Sequence, residues 1–524
     1  MGQGEYVKQT DFSKKRPVER WFIKFLWRAL LATLAFLLAL FVLINALALP
    51  QPAIMAAPAR NSSLVISGVN VIDARGNGSV AYLQMVVIVG DRISYVGAQG
   101  SKRTPPGARV IEAQGKFLIP GLWDSHIHTL RLSPQLHFPL LIANGVTSVR
   151  DMGDACSWSS ARDCRPETPR WRAQIQSGAM IGPRIIESVS YHLEELPEQE
   201  AELRNWIAVL KARGEKFLKI QLDDLASTQD FEKVMRIASA NDFKAAGHIP
   251  FAVNLADTIY PLVSIEHDAS LLPQCSDFAA EFNGKNSAKL ALLNDWNSAK
   301  CTRVLGQLAA RSVAYVPTHI ASSGQDAAFA AQATGTNPVE QAARQTDPAP
   351  TQRYVIAPQR WIAWLFRAAG QEDAQTQGVL NRLHQAALEL TSQARAAGVP
   401  VLAGTDALDA GVIHGFSLHQ ELQYLVAAGL TPAQALFAAT AEPARVFGMA
   451  GSLGVIEAGK VADLVLLEAN PLIDIRNTQR IRLVVSDGRV YADIERAKAL
   501  EFVAQQSRSI RVICRFLRGI WFDG

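Results

Sequence analysis

The feature that most constrains the fold is an alternation of strand-like and helix-like segments across the middle of the chain. Short runs rich in β-branched residues, such as 146–149 and 217–220, alternate with longer stretches of helical periodicity, such as 228–241 and 378–397. Parallel strands need crossover connections, which helices usually supply. The alternation predicts an α/β fold of the (β/α)8 TIM-barrel type over residues 118–445, with functional side chains at the C-terminal strand ends.

Within this region, residues 321–377 interrupt the alternation of strand-like and helix-like segments. The stretch is long, rich in Ala and Gln, and ends in a segment with two tryptophans. We interpret it as an insertion over the mouth of the barrel.

Two β-rich segments flank the barrel region. The first is punctuated by Gly68, Gly90 and Gly97, and the second carries an Asp-Gly turn at 487–488. Because these two β segments flank everything else, we expect 63–117 and 446–500 to pair as one composite β domain, a small β-sandwich.

The N-terminal region is the strongest departure from globular composition. Residues 29–49 form a run of 21 residues without a charge, long enough to cross a bilayer. The basic residues that precede it include Lys14, Lys15, Arg16, Arg20, Lys24 and Arg28. The positive-inside rule predicts a cytoplasmic basic segment at 1–28, a transmembrane helix at 29–49, a linker at 50–62 and an exported catalytic domain, periplasmic or otherwise extracytoplasmic. A cleaved signal peptide is the alternative.

The five cysteines fit an oxidising compartment. Cys156 and Cys164 are close in sequence, as are Cys275 and Cys301, so two local disulfides are expected and Cys514 is left over. Free thiols are the alternative.

The last segment, 501–524, alternates Arg with apolar residues and resembles a basic amphipathic tail that could lie on a membrane surface. A solvated extension is the alternative. The net charge of +4 is mild and no basic patch stands out, so nucleic acid is not an expected partner. The sequence leaves association into a homo-oligomer open.

The strongest local motif lies at 120–128, where a Pro-Gly turn is followed by an apolar strand ending in His126 and His128. Residues two apart in a strand point to the same side. Both imidazoles should therefore face the barrel interior, where they form half of a divalent-metal site. Alone, such a pair could equally be two ordinary polar histidines.

Four further candidates lie at later strand ends: Lys219, His248, His267 and Asp406. A buried lysine without a partner is costly, so Lys219 needs one. Each residue alone has an ordinary explanation: a snorkelling lysine, a hydrogen-bonded core histidine, or a helix cap for Asp406. Their order at successive strand ends favours one cluster.

These motifs resemble the amidohydrolase superfamily, in the branch of imidazolonepropionases and prolidase-like dipeptidases. The resemblance extends over residues 64–495 and includes the strand lysine, Ala-Gly-His at 246–248, Glu-His at 266–267 and Gly-Thr-Asp-Ala at 404–407. The run at 451–465 is also similar and marks the return from the barrel to the β domain.

The resemblance implies a role for each candidate. His126, His128 and Asp406 would bind one metal, and His248 and His267 a second. Lys219 would be carboxylated and bridge the two metals, with Zn²⁺ expected and other divalent ions as alternatives. A metal-bound hydroxide would be the nucleophile, with Asp406 as the catalytic proton carrier.

The sequence departs from the branch after the Gly-Pro-Arg turn at 182–184, where a Gly-Gly-His run is replaced by 185–192. Tyr191 and His192 in this altered loop are candidate substrate contacts, as is His319 after the seventh strand. For Tyr191 and His192, an ordinary loop is the alternative.

The sequence therefore predicts a metal-dependent hydrolase that cuts a C–N bond of a small molecule, with a dipeptidase of the prolidase type as the leading form. The alternatives are a cyclic amidase of the imidazolonepropionase type, and a lactonase or phosphotriesterase. A binding protein with a degenerate site is disfavoured because all six expected ligands are present.

Overall fold

The fold was analysed in a computed structural model. It describes residues 17–48, 53–154, 156, 164–194, 196–197, 199–222, 227–251, 253–256, 260–278, 286–322, 374–409, 412–507, 509–512 and 514–515, with the backbone alone for 17–20, 23, 286–289 and 374–377. Almost all of the predicted insertion at 321–377 lies outside the described residues.

Sixteen strands are present in the described part of the chain. In order they are β1 Ser63–Ile72, β2 Val80–Val89, β3 Arg92–Ala98, β4 Arg109–Glu112, β5 Phe117–Pro120, β6 Leu122–Ile127, β7 Val146–Asp151, β8 Arg184–Ser188, β9 His192–Leu193, β10 Phe217–Ile220, β11 Lys244–Gly247, β12 Leu262–Glu266, β13 Ala314–Val316, β14 Leu464–Leu467, β15 Ile481–Ser486 and β16 Arg489–Ala492.

The α-helices of the described residues follow the same chain order. They are α1 Pro17–Ala48, α2 Ser133–Leu136, α3 Phe138–Ala143, α4 Thr168–Ser177, α5 Glu200–Ala212, α6 Thr228–Ala240, α7 Asp268–Leu271, α8 Asn286–Asn294, α9 Ser298–Ala310, α10 Ala374–Ala396, α11 Phe416–Ala427, α12 Pro432–Ala438, α13 Ala441–Val446 and α14 Asp493–Ser507.

The middle of the chain has a TIM-barrel-like α/β architecture. Strands β6, β7 and β8 form one parallel sheet, and β9 to β13 form a second. The strands are almost completely buried, as expected where helices cover a parallel sheet. Short parallel strands separated by helices are what the alternation in the sequence predicts.

If β8 and β9, which pair with β7 and β10 respectively, are counted as one interrupted strand position, the eighth position is taken by an extended segment at 400–407. Its backbone accepts and donates hydrogen bonds with Tyr315 of β13 on one side. On the other side the carbonyl of His126 in β6 accepts from the amides of Thr405 and Asp406. This segment therefore places Asp406 directly beside the end of the first barrel strand.

The strands of the two flanks lie in one eight-stranded sheet, with the order β16-β15-β14-β5-β1-β2-β3 and β4 paired to β1. The link between the flanks is antiparallel pairing of β5 with β14, from Leu464 opposite Pro120 to Leu467 opposite Phe117. Buried residues of both flanks, including Leu64, Leu118 and Leu483, share one apolar cluster. The two predicted layers of a sandwich are thus parts of a single sheet.

Helix α14 crosses the boundary predicted between the β domain and the basic tail at residue 500. Its buried residues include Ala499 and Val503, which pack in the same core cluster as the barrel. Arg496 donates from Nε to the carbonyl of Ala143 at the end of α3. The sequence prediction missed this helix because the segment lacks a clear apolar period.

The described residues 17–48, 509–512 and 514–515 belong to a separate compact unit. Within it, α1 begins upstream of the predicted span, and its part from Lys24 to Ala48 is long and apolar enough to cross a membrane, with a mean hydropathy of 2.6. An N-terminal signal sequence has the same properties. Cys514 of the C-terminal segment packs with Ile44 and Ala48.

Both predicted disulfides are present. Cys156 is bonded to Cys164, and Cys275 is bonded to Cys301 of α9. Cys514 is a free, buried cysteine. The pairings agree with the spacing in the sequence and with an oxidising environment.

Candidate metal centre

Three side chains converge at the C-terminal end of the barrel strands. The Oδ1 atom of Asp406 lies 3.2 Å from Nε2 of His126 and 3.0 Å from Nε2 of His128. The ligand atoms of the three residues all lie within 4.8 Å of one another. Two imidazole nitrogens and one carboxylate oxygen around a common point form a candidate site for a divalent metal.

A buried hydrogen-bonded contact holds the first and eighth strand positions together beneath this cluster. The carboxylate of Asp124 accepts from the hydroxyl of Thr405 at 2.7 Å and from its amide at 3.0 Å. Gly404 is required for the close approach, because a Cβ there would lie 2.5 Å from Val316 Cγ1 and 2.9 Å from His126 Cβ. Local contacts therefore explain two of the three residues of the Gly-Thr-Asp motif, Gly404 and Thr405.

His267 joins the cluster through an unusual backbone. Neighbouring strand residues point to opposite sides, so with Glu266 facing the interior His267 should point away. Its φ of 69° breaks the alternation. Its ring centroid lies 4.7 Å from that of His126, and its Nδ1 is 3.8 Å from Asp406 Oδ2. Both residues of the Glu-His motif thus reach the barrel interior.

His248 lies beside His267, with ring centroids 4.8 Å apart. Gly247, at φ 135°, lets the chain pass β10 at close range, since a Cβ there would lie 2.1 Å from the carbonyl oxygen of Ile220. A cavity of about 280 Å³ opens here, with walls that include His248, His267, Asp406, Leu222, Ile249 and Phe251. This largely apolar space is large enough for a small organic substrate next to the cluster.

Lys219 on β10 is 1% exposed. Its Nζ has no hydrogen-bond partner among the described residues. Burial lowers the pKa of the Lys219 amine to about 8, against the opposing charges of Glu266 and Asp406. At pH 7 an amine with this pKa is neutral in about one molecule in ten, against fewer than one in a thousand for an ordinary lysine, and the neutral amine is the form that reacts with CO₂.

The electrostatics of the cluster favour neutral rings at His248 and His267 and an ionised aspartate. For His126, burial lowers the pKa, but the charge of Asp406 outweighs this and raises it. Burial lowers the pKa of His267 to about 3, and it lowers the pKa of His248 well below its usual value. For Asp406, burial raises the pKa, but the charges of His126 and His267 outweigh this and hold it well below its usual range. Neutral imidazoles and an ionised carboxylate are the forms that bind a metal.

The residues present therefore fit a divalent metal. His126 Nε2 is buried and has no hydrogen-bond partner within the described part of the chain, although it lies 3.2 Å from a carboxylate oxygen. A cation between these two atoms would satisfy both of them. The donor set of nitrogen and oxygen atoms suits Zn²⁺ and other borderline divalent ions.

Two functional neighbours were missed by sequence reasoning. Glu266 Oε2 lies 2.7 Å from Nδ1 of His126, and its Oε1 accepts from Arg150 Nη1 at 2.9 Å. All three side chains are fully buried. A charged residue inside an apolar strand was the available signal, since the cost of burying a charge implies a partner.

The three candidate substrate contacts occupy other positions. Tyr191 stacks on Trp206 of α5, with ring centroids 4.5 Å apart. His192 donates from Nε2 to the carbonyl of Met152, and its ring lies 5.8 Å from that of His128. His319 is fully buried, 2.9 Å from the Thr391 hydroxyl. Their role in substrate binding stays a prediction, and the geometry favours packing for Tyr191 and His319.

Residues 384–491 of the chain match the model of the Amidohydrolase family. The matched range includes Asp406 and ends in β16, so it covers the eighth strand position and the return to the flanking sheet. The superfamily predicted from the sequence motifs is confirmed.

Solved structures of other proteins share the fold over most of the chain. Bottromycin amidohydrolase is 20% identical with a TM-score of 0.63, covering 86% of this chain and 91% of that one. A Xaa-Pro dipeptidase is 18% identical with a TM-score of 0.52, covering 82% and 100%. At this identity the likeness shows the fold, which is the TIM-barrel-like architecture described above.

A curated relative shares a shorter stretch. Adenine deaminase from Paracoccus denitrificans is 36% identical over 66 residues, which are 12% of this chain. The matched part of this chain spans 11% of that relative's length.

Proposed function

We propose that this protein is a metal-dependent hydrolase that cleaves a C–N bond of a small molecule, with the amide bond of a dipeptide as the leading substrate. The observation that carries the proposal is the convergence of His126, His128 and Asp406, whose ligand atoms lie within 4.8 Å of one another. The apolar cavity beside Asp406 supports a small, partly apolar substrate.

The six residues would divide between two metal positions. His126, His128 and Asp406 would hold one ion, and His248 and His267 a second, with carboxylated Lys219 between them. When bound, the metal supplies Lewis-acid charge that activates water and polarises the scissile carbonyl. Two Zn²⁺ ions are the proposed occupants.

Asp406 is the proposed proton carrier. Its ionised carboxylate faces the cavity and can accept a proton from the attacking water. It can then deliver that proton to the leaving amine, which must be protonated to depart. The apolar walls formed by residues such as Leu222 and Ile249 limit the access of bulk water to this exchange.

A second candidate is hydrolysis of a C–N bond in a heterocyclic base. It is favoured by the stretch shared with adenine deaminase. Cyclic amides, lactones and phosphotriesters remain further alternatives, because an activated water can attack each of these electrophiles. We also propose that α1 anchors the protein in a membrane with the catalytic domain outside the cytoplasm.

The test is a substrate panel on the detergent-solubilised full chain, with metal content measured in parallel. The panel contains Xaa-Pro and other dipeptides, a cyclic amide, adenine, a lactone and a phosphotriester. We expect hydrolysis of a C–N bond that is lost on chelation and restored by Zn²⁺. Turnover that persists at full rate in metal-free protein would refute the proposal.

A matched pair of histidine variants sharpens the test. His126→Asn should abolish both activity and tight metal binding. His419→Asn changes a buried histidine that only packs, with Nδ1 3.0 Å from the Thr478 hydroxyl and Nε2 3.1 Å from the Asn144 carbonyl. The second variant should retain metal and activity if folded.

A further inference from the structure

The barrel interior beneath the candidate metal centre contains a charged contact that joins three strands. Glu266 at the end of β12 accepts a hydrogen bond from His126 of β6, with 2.7 Å between Oε2 and Nδ1. Arg150 of β7 donates to the other carboxylate oxygen of Glu266 at 2.9 Å. Since all three side chains are fully buried, water does not compete for these bonds.

The two oxygens of Glu266 have separate partners. Oε1 accepts from both Arg150 and the hydroxyl of Ser264. Oε2 is therefore turned towards His126. A carboxylate oxygen only accepts, so the Nδ1 of His126 must carry the proton, and the lone pair of the neutral ring is on Nε2. Nε2 is the atom that faces Asp406.

The orientation of the Arg150 side chain is fixed by two further contacts. Its Nε lies 3.2 Å from Glu187 Oε2, and its guanidinium lies over the ring of Phe217 at 4.3 Å from the centroid. A planar guanidinium fixed on two sides presents its N–H groups in one direction. The orientation of the Glu266 carboxylate is therefore determined by the barrel framework and not by the metal.

We propose that Glu266 and Arg150 are a positioning pair that fixes the ring orientation and tautomer of His126 for metal binding. The inference rests on the proposed function in one respect, which is that the centre binds a divalent metal. Neither residue touches substrate in this scheme. Both act through His126. Removing either side chain should weaken metal binding while the barrel stays folded.

The first test measures Zn²⁺ affinity directly by chelator competition on the full chain. Glu266→Gln removes the anionic acceptor, and we expect affinity to fall about 10- to 100-fold. Arg150→Lys keeps the charge but not the two-sided geometry, and we expect a smaller loss. The matched control is Glu421→Gln. Glu421 is another buried carboxylate, and among the described residues it accepts from the amides of His319 and Ile320. This variant should leave the Zn²⁺ affinity unchanged.

The outcomes separate this inference from the proposed function. If the wild-type chain binds no Zn²⁺, the proposed function fails. If the wild type binds Zn²⁺ and a folded Glu266→Gln variant binds it equally well, the positioning pair is overturned while the metal centre stands. Should Glu266→Gln fail to fold, Ser264→Ala removes one hydrogen bond to Glu266 Oε1 and is expected to weaken Zn²⁺ affinity by a smaller factor; unchanged affinity would overturn the pair.

The second test determines the tautomer of His126. A purely structural role of Glu266 and Arg150 would not set this tautomer. In metal-free wild-type protein with ¹⁵N-labelled histidine, the NMR spectrum should show the His126 proton on Nδ1, because no metal on Nε2 is then present to impose that tautomer. Assignment uses the signal lost in His126→Asn. A proton on Nε2 in the wild type would overturn the inference without any variant of Glu266.

Discussion

At the scale of single residues, Asp406 has two tasks that a substitution can separate. Asp406→Asn keeps an oxygen near His126 and His128 but cannot accept a proton. We expect kcat to fall by about 10²- to 10⁴-fold, the usual contribution of a positioned proton carrier. Metal content should fall less than in His126→Asn. The measurement is steady-state kinetics with metal analysis of the same samples, and a kcat within twofold of wild type would contradict the assignment.

Lys219 gives a second prediction at this scale. Its buried amine, which has no hydrogen-bond partner among the described residues, becomes an anionic bridge if it reacts with CO₂. The histidines and Asp406 alone cannot supply such a bridge. Lys219→Ala should lose one of two metals, and added short carboxylic acids should partly restore activity. In parallel, metal content and activity are measured in wild-type protein depleted of bicarbonate.

The proposed bridge at Lys219 can also be excluded by a single observation. A high-resolution map of metal-loaded protein with two full metals and an unmodified lysine would exclude the bridge. Lys219→Met is the matched control for packing, because it fills a similar volume. Full metal content in Lys219→Met would also contradict the prediction.

At the scale of elements, the disulfide between Cys275 and Cys301 fastens the 3₁₀ turn after β12 to α9. Replacing both cysteines with Ala opens a loop of 26 residues, and the chain-entropy model gives a loss of about 3.5 kcal/mol in the free energy of unfolding. Chemical denaturation in detergent measures it. Cys514→Ala, which removes a free thiol, should leave the midpoint unchanged, and an equal shift in both variants would contradict a role for the crosslink.

Much of the site follows from element-level patterns in the sequence. Period-two alternation places His126 and His128 on one side, and the order of strand ends predicts Lys219 and Asp406 nearby. These depend only on strand geometry and hold in the structure. His267 is found by motif, but alternation alone would turn it away from the interior, since the φ that redirects it is a tertiary property.

The parts that the sequence did not predict have physical reasons. Glu266 and Arg150 meet across the barrel, 116 positions apart, and no local pattern encodes that contact. Helix α14 was missed because its residues pack on the barrel without a clear apolar face. Tyr191 lies against Trp206, a contact between a loop and a helix that composition does not reveal.

At the scale of the whole molecule, membrane topology is the prediction to test. If α1 is an uncleaved anchor, protease added to intact spheroplasts should digest the region after residue 62, because the basic residues keep the N-terminus inside. The mature chain should also retain residues before Lys24, as mass spectrometry of the N-terminus would show. Protection of the catalytic region, or an N-terminus beginning after Ala48, would contradict the anchor.

The pairing of β5 with β14 ties together positions that are made at very different times. Pro120 lies opposite Leu464, so ribosomes must add 344 residues (464 − 120) before the partner strand exists. At about 5–20 residues per second this takes roughly 17–70 s. During that interval the edge of β5 that later meets β14 is open to other chains, and an unpaired edge invites aggregation. Chaperone supply during synthesis and export should therefore limit the yield of this protein, and chains that stop before residue 464 should aggregate.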